Sequence, residues 1–186
     1  MGWGFDTRSI VRHVRTAGAV PGILITDGTA PETLIGRAAD ARGTDGLDLA
    51  LEVACTEAYD WDQGPWTSPS HALTGREVED RPSVAVVDFG VKRSILRRLI
   101  GEGFAVRVVP PGVSVDKLLA GNYAGVLLSN GPGDPKKAGY LSGTLKKIIG
   151  EKIPVFGICL GNQILALAMG CDTYKLKLGH RGQNHP

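Results

Sequence analysis

The chain has 186 residues, 42% of them hydrophobic and 22% charged, and its 21 basic and 19 acidic side chains leave a net charge of +2. Such a composition suits one ordinary globular domain or two small ones, and a charge this near neutral, with no basic run, argues against nucleic-acid binding. The longest apolar stretches, around Val84–Val87 and Val126–Leu128, are strand-sized and fall well short of the roughly 20 residues that span a membrane.

The opening Met1–Asp6 has no basic segment followed by an apolar run and does not read as a secretory leader. Asp6 is placed to cap a helix running through Ile10, Val11 and Val14, which Gly18 can end. Gly22–Thr26 reads as a short strand. Pro31 suits the first turn of a second helix that carries Leu34, Ile35 and Ala38. The pattern then degrades. Asp60–Pro82, rich in proline and polar residues, reads as a linker or extended excursion.

From Ser83 the rhythm becomes strand, helix, strand, helix. Ser83–Phe89 is a buried type of strand, and Ile95, Leu96, Leu99 and Ile100 form a helix face. Ala105–Val109 is a second strand, followed by a short helix that Ser114 can cap. Gly125–Ser129 is a third strand, and Leu141, Leu145, Ile148 and Ile149 line the next helix. Pro154–Ile158 is a fourth strand, with Ile164–Ala168 on the helix after it. Near-continuous apolar strands alternating with helices imply an α/β, Rossmann-like parallel sheet with helices on both faces. Lys175 and Lys177, alternating with Tyr174, Leu176 and Leu178, suggest one further strand with a wet face.

Three features at strand ends carry chemistry. The sharpest is Gly157-Ile-Cys159-Leu-Gly161-Asn-Gln163, entered by a strand and left by a helix. A nucleophile on such a turn stands clear of the sheet's carboxyl edge. The flanking glycines allow the tight backbone, and the helix start favours a thiolate. The bland alternative is a small buried cysteine in a turn. The second is Ser129-Asn-Gly131-Pro-Gly133-Asp-Pro135, also at the carboxyl edge. Its glycines could bring backbone N–H groups to a ligand, although the same residues make ordinary turns. Beside the cysteine turn, the functional reading prevails. The third is Gly179-His-Arg-Gly-Gln-Asn-His185-Pro186. His180 and His185 invite a Cys–His pairing, but nearness in sequence says nothing about hydrogen-bond reach, and a polar loop explains them as well. His13 and His71 read as surface or packing residues. Cys55, Cys159 and Cys171 form an odd, sparse set without a CxxC pair, which points to a reducing cytoplasm rather than a disulfide framework.

The Gly157-x-Cys159-x-Gly161-x-Gln163 pattern resembles the nucleophile motif of class I glutamine amidotransferases. Val87-Asp-Phe-Gly-x-Lys-Arg-x-Ile-Leu96, Leu128-Ser-Asn-Gly-Pro-Gly-Asp-Pro135 and Gly179-His-Arg-Gly-x-Asn-x-Pro186 narrow the resemblance to the small-subunit family of carbamoyl-phosphate synthetases. The helix starting Asp6-Thr-Arg8 is similar to the closing part of that family's N-terminal domain. The resemblance implies three parts. Residues 1–66 would be the remnant of a small α/β N-terminal domain, 67–82 a linker, and 83–186 the first part of the class I glutaminase domain.

It further implies that Cys159 attacks the side-chain amide of L-glutamine, releasing ammonia and forming a glutamyl thioester. Leu160 and Gly133 would supply oxyanion-stabilising amides, and Gly131 and Gln163 would hold the glutamine. Ammonia would pass to a large partner subunit, which uses ATP and magnesium to make carbamoyl phosphate for arginine and pyrimidine synthesis. No cofactor or metal is expected on this chain. The family's catalytic His and Glu lie beyond the His-Arg-Gly block and have no match here, so the chain is expected to be a fragment and a poor glutaminase alone. Asn162 stands where many relatives carry a histidine, a tolerated difference because that position is not the base. Three alternatives are weaker. An anthranilate- or guanylate-type amidotransferase would lack the Asp-Thr-Arg helix and the His-Arg-Gly block. A non-catalytic module would not need an intact cysteine turn, and an unrelated cysteine hydrolase would not need the Asn-Gly-Pro-Gly-Asp loop.

Overall fold

A computed structural model describes residues 4–41, 47–65, 81–176 and 179. The chain divides into two compact units, one of residues 1–43 with 174–186 and one of residues 44–173.

In the first unit, helix α1 (Thr7–Ala17) starts where Asp6 accepts a hydrogen bond from Ser9 N–H at 2.9 Å, and it stops at Gly18, whose φ of +90° ends the helical path. Helix α2 (Pro31–Ala39) begins with proline at its first turn, where the missing N–H costs nothing. None of α1 is buried, and Leu34 is the one buried residue of α2. The strand expected at Gly22–Thr26 does not form. Among the described residues no strand pairs with it, and an isolated extended segment gains no ladder hydrogen bonds; Leu24 stands 75% exposed. The strand expected around Lys175 is likewise missing at 174–176, while Lys177 and Leu178 lie outside the described residues.

The second unit is built on a five-stranded sheet of order β1-β3-β2-β4-β5. The strands are β1 (Tyr59–Trp61), β2 (Ser83–Val87), β3 (Ala105–Val109), β4 (Gly125–Leu128) and β5 (Val155–Gly157). β2 pairs in parallel with β3 on one side and β4 on the other, and β5 extends the parallel set beyond β4. β1 lies antiparallel on β3, Tyr59 opposite Val108 and Trp61 opposite Val106. Residues 47–65 were expected to go with the preceding region, but they belong spatially with the sheet. Short helix α3 (Leu49–Val53) precedes β1 there. Two polar-flanked aromatic positions were too brief a signal to mark β1 as a strand.

Period-two alternation divides the core. Val84, Val86, Val106 and Val108 pack on one face with Leu96 of α4 (Arg93–Gly101). Ala85, Val87, Val126 and Leu128 point the other way. They meet Leu118 of α5 (Val115–Ala120), Leu145 and Ile148 of α6 (Ser142–Gly150), and Ile164 of α7 (Leu160–Ala168). Each fully buried Leu or Ile contributes about 2 kcal/mol. The step from β2 to β3 carries α4 on one face, and the step back from β3 to β4 carries α5 on the other. A single crossover hand requires that arrangement. It also makes the boundary between β2 and β4 the point where strand order reverses.

Candidate active site

The carboxyl edge of the sheet collects three turns: 88–92 after β2, 129–134 after β4, and 158–161 after β5. In open parallel sheets ligands bind at this edge, beside the reversal of strand order, and here the first two turns flank that reversal.

Cys159 is the N-cap of α7 and is exposed. Its φ of +54° and ψ of −112° put it in a region that L residues rarely occupy, at a cost of about 1–3 kcal/mol. The neighbours explain how the turn is held. Ile158 N–H donates to Leu128 O at 2.9 Å, and Gly161 N–H donates to Ser129 O at 3.1 Å. A side chain at Gly157 would fall 2.5 Å from Asn162 N, and one at Gly161 would run into Leu128 O. The turn between β5 and α7 can therefore be this tight only with glycine on both sides of the cysteine. Leu160 is the first residue of α7, so its N–H is among the four that a helix leaves without an internal partner. Gln163 lies one turn further on, exposed, its N–H bonded to Cys159 O at 3.1 Å.

The 129–134 turn stands one strand away. Gly131 has no room for a side chain because Phe89 O occupies the space, and Gly133 takes a φ of +100° that favours glycine. The predicted residues Gly131, Gly133, Cys159, Leu160 and Gln163 thus come from two adjacent strand ends, β4 and β5. His180 and His185 lie outside the described residues, as does His71; His13 sits on α1.

Two cysteines contrast with Cys159. Cys55 is half-buried, and burial first, then the neighbouring Asp88 carboxylate, push its thiol up to about 11, which keeps it protonated and unreactive at neutral pH. Cys171 is exposed but lies past the C-terminal end of α7, the opposite end of that helix from Cys159.

Between the turns lies a scaffold to which none of the sequence motifs assigns a role. Buried Asp88 accepts N–H bonds from Cys55, Gly90 and Val91, each at 2.8 Å. Fully buried Ser129 accepts from Phe89 N–H at 2.9 Å and donates to Asn130 O at 2.8 Å. The signal for both was available: a carboxylate and a hydroxyl directly after two buried strands, where backbone groups need side-chain partners. A cavity of about 300 Å³, lined by Tyr59, Trp61, Asp88 and Arg93 among others, lies at the β2 end and includes none of the predicted site residues. Among the described residues no helix is long and apolar enough to cross a membrane, and no cluster of three or more His, Cys, Asp or Glu side chains could hold a metal ion.

Residues 85–186 match the family described as Glutamine amidotransferase class-I. Curated relatives named carbamoyl phosphate synthase small chain are similar along nearly the whole chain. The protein of Syntrophotalea carbinolica is 47% identical over 183 residues, 98% of this chain. That of Vibrio parahaemolyticus is 44% identical over 97% of this chain, and that of Escherichia coli (strain K12) 43% identical over 97%. In each case the chain spans 48% of the relative's length.

Proposed function

Because the chain belongs to the class-I glutamine amidotransferases, we propose that its 158–161 turn is the nucleophile site of a glutaminase and that Cys159 is the attacking thiolate. One observation carries this reading: an exposed cysteine held at φ +54° on a strand-to-helix turn that leaves no space for a side chain at Gly157 or Gly161. Backbone strain of this kind persists where the surroundings over-determine it, and a cysteine used only for packing gains nothing from it.

The chemistry follows in two halves. The Cys159 sulfur adds to the side-chain amide carbon of L-glutamine, and negative charge collects on the amide oxygen. The N–H groups of Leu160 and Gly133 stabilise that oxyanion. The C–N bond breaks, the nitrogen takes a proton and leaves as ammonia, and a glutamyl thioester remains. Water then attacks the thioester carbon, the C–S bond breaks, and glutamate leaves as the Cys159 sulfur is restored. Gly131 and Gln163 border the glutamine.

The names of the relatives extend the proposal. The ammonia serves carbamoyl phosphate synthesis on a large partner subunit in the cytoplasm, where ATP and magnesium are used, and through it arginine and pyrimidine synthesis. The relatives align across 98% of this chain, well upstream of the family match that begins at residue 85, which supports reading residues 1–43 as part of a further small-chain domain, with 47–65 packed on the sheet ahead of a 67–82 linker.

The test needs nucleophile and binding site but no turnover. The full chain is treated with 6-diazo-5-oxo-L-norleucine, a glutamine-shaped electrophile, and adducts are mapped by mass spectrometry. Modification concentrated on Cys159 and suppressed by L-glutamine supports the reading. Equal modification of Cys171, or no protection by glutamine, sinks it.

A further inference from the structure

The loop that carries Gly131 and Gly133 must be held at a fixed distance from Cys159, and its own sequence offers little to hold it. Pro132 lacks an N–H, and Gly133 is exposed. The anchor comes from Asn130. Its Nδ2–H donates to Gly90 O at 3.1 Å, and its Oδ1 accepts Lys92 N–H at 3.1 Å. One side chain thus grips the middle and the end of the 88–92 turn while its own residue lies in the turn after β4. The bridge crosses the reversal of strand order between β2 and β4.

The pairing suits a short amide side chain. The partners are a carbonyl and an N–H, so the side chain must present a donor and an acceptor from one short planar group, and the amide must face the way it does. Asp would keep the bond from Lys92 N–H and set an oxygen against Gly90 O. Leu, of similar volume, would make neither bond. Packing agrees with the hydrogen bonds. Gly131 abuts Phe89 O, and a side chain at Gly90 would come within 3.3 Å of Pro132 Cδ. Ser129, next in line, passes the connection to the 158–161 turn through its carbonyl, which accepts Gly161 N–H at 3.1 Å.

We propose that Asn130 is a positioning residue: it ties the 129–134 loop to the 88–92 turn and so sets where the Gly131 and Gly133 backbone stands relative to Cys159. Its amide is spent on Gly90 O and Lys92 N–H, so its role is to hold the loop. The proposal rests on the glutaminase reading for what the loop is positioned toward, and on hydrogen-bond geometry for the positioning itself.

The experiment compares the full chain with Asn130→Asp and Asn130→Leu by two measurements. Amide hydrogen exchange over 129–135, referenced to α6, reads the tether. The ratio of Cys159 labelling rates with 6-diazo-5-oxo-L-norleucine and with iodoacetamide reads the site, because iodoacetamide needs the thiolate but not the loop. Expected are faster exchange over 129–135 in both variants and a ratio lowered by about 10- to 100-fold, the scale of loss from small misplacements, with iodoacetamide labelling unchanged. Unchanged exchange overturns the proposal. So does a parallel slowing of both reagents, which would mean a general effect on the thiol or the fold. Should the unaltered chain show no preference for the glutamine-shaped reagent, the glutaminase reading falls, and exchange over 129–135 alone decides whether Asn130 is the tether.

Discussion

Helices α1 and α7 are both short and both well formed, yet they are held by different forces. α1 buries none of its residues and stands on its caps, Asp6 at one end and Gly18 at the other. α7 has no side-chain cap at all and buries Leu160, Gly161, Ile164 and Ala168. Its start is fixed from outside: Ser129 O accepts Gly161 N–H in the first turn, and Leu128 O accepts Ile158 N–H just ahead of it. The contrast shows where function can be placed. A helix defined by its own sequence can start anywhere, whereas one defined by its neighbours can hold its N-cap residue in a conformation that the residue itself disfavours.

Substitutions should separate the two regimes. Gly161→Ala drives a methyl group into Leu128 O and should destabilise the sheet unit by about 3 kcal/mol, the upper end of ordinary overpacking, read as a lower urea midpoint at constant slope. Ser129→Ala leaves the buried Phe89 N–H without its acceptor and should cost about 2 kcal/mol in the same titration. Cys159→Gly should move the midpoint the other way, a gain of about 1 kcal/mol, because relief of strain exceeds the extra freedom glycine gives the unfolded chain. A loss of stability in that variant would mean that the turn is not strained. Asp6→Ala should weaken α1 by about 1 kcal/mol, seen as faster amide exchange across Thr7–Ala17, while the urea midpoint of the sheet unit stays put. A shift of that midpoint would break the comparison, since α1 would then be supported by more than its caps.

The same distinction explains what could be read from the sequence. Asp6, Gly18, Pro31 and Ser114 act within a few residues of themselves, and the helices they bound fall where expected. β2, β3, β4 and β5 were legible because strands buried on both faces are almost continuously apolar. The cysteine turn was legible because its glycines are spaced by the geometry they permit. Gly22–Thr26 misled because an apolar run says nothing about whether a partner strand exists, and β1 was missed for the converse reason: its partner supplies what its three residues lack. Asn130 was invisible as an anchor because Gly90 and Lys92, its partners, lie about 40 positions away in sequence.

β1 also has a history in time. Asp60 meets Arg107 across 47 residues of chain, and β3 must be in place before that meeting is possible. The other ladder partners join through shorter excursions, so entropy of loop closure weighs most heavily on this strand. On the folding pathway β1 should be a late arrival, absent from the rate-limiting state. Trp61→Ala should then accelerate unfolding in stopped-flow experiments while leaving the refolding rate almost untouched; slowed refolding would place β1 in the nucleus instead. The edge of the sheet would thus open and close on a native core, and the 88–92 turn, tied through Asp88 to Cys55 just ahead of β1, would feel each opening.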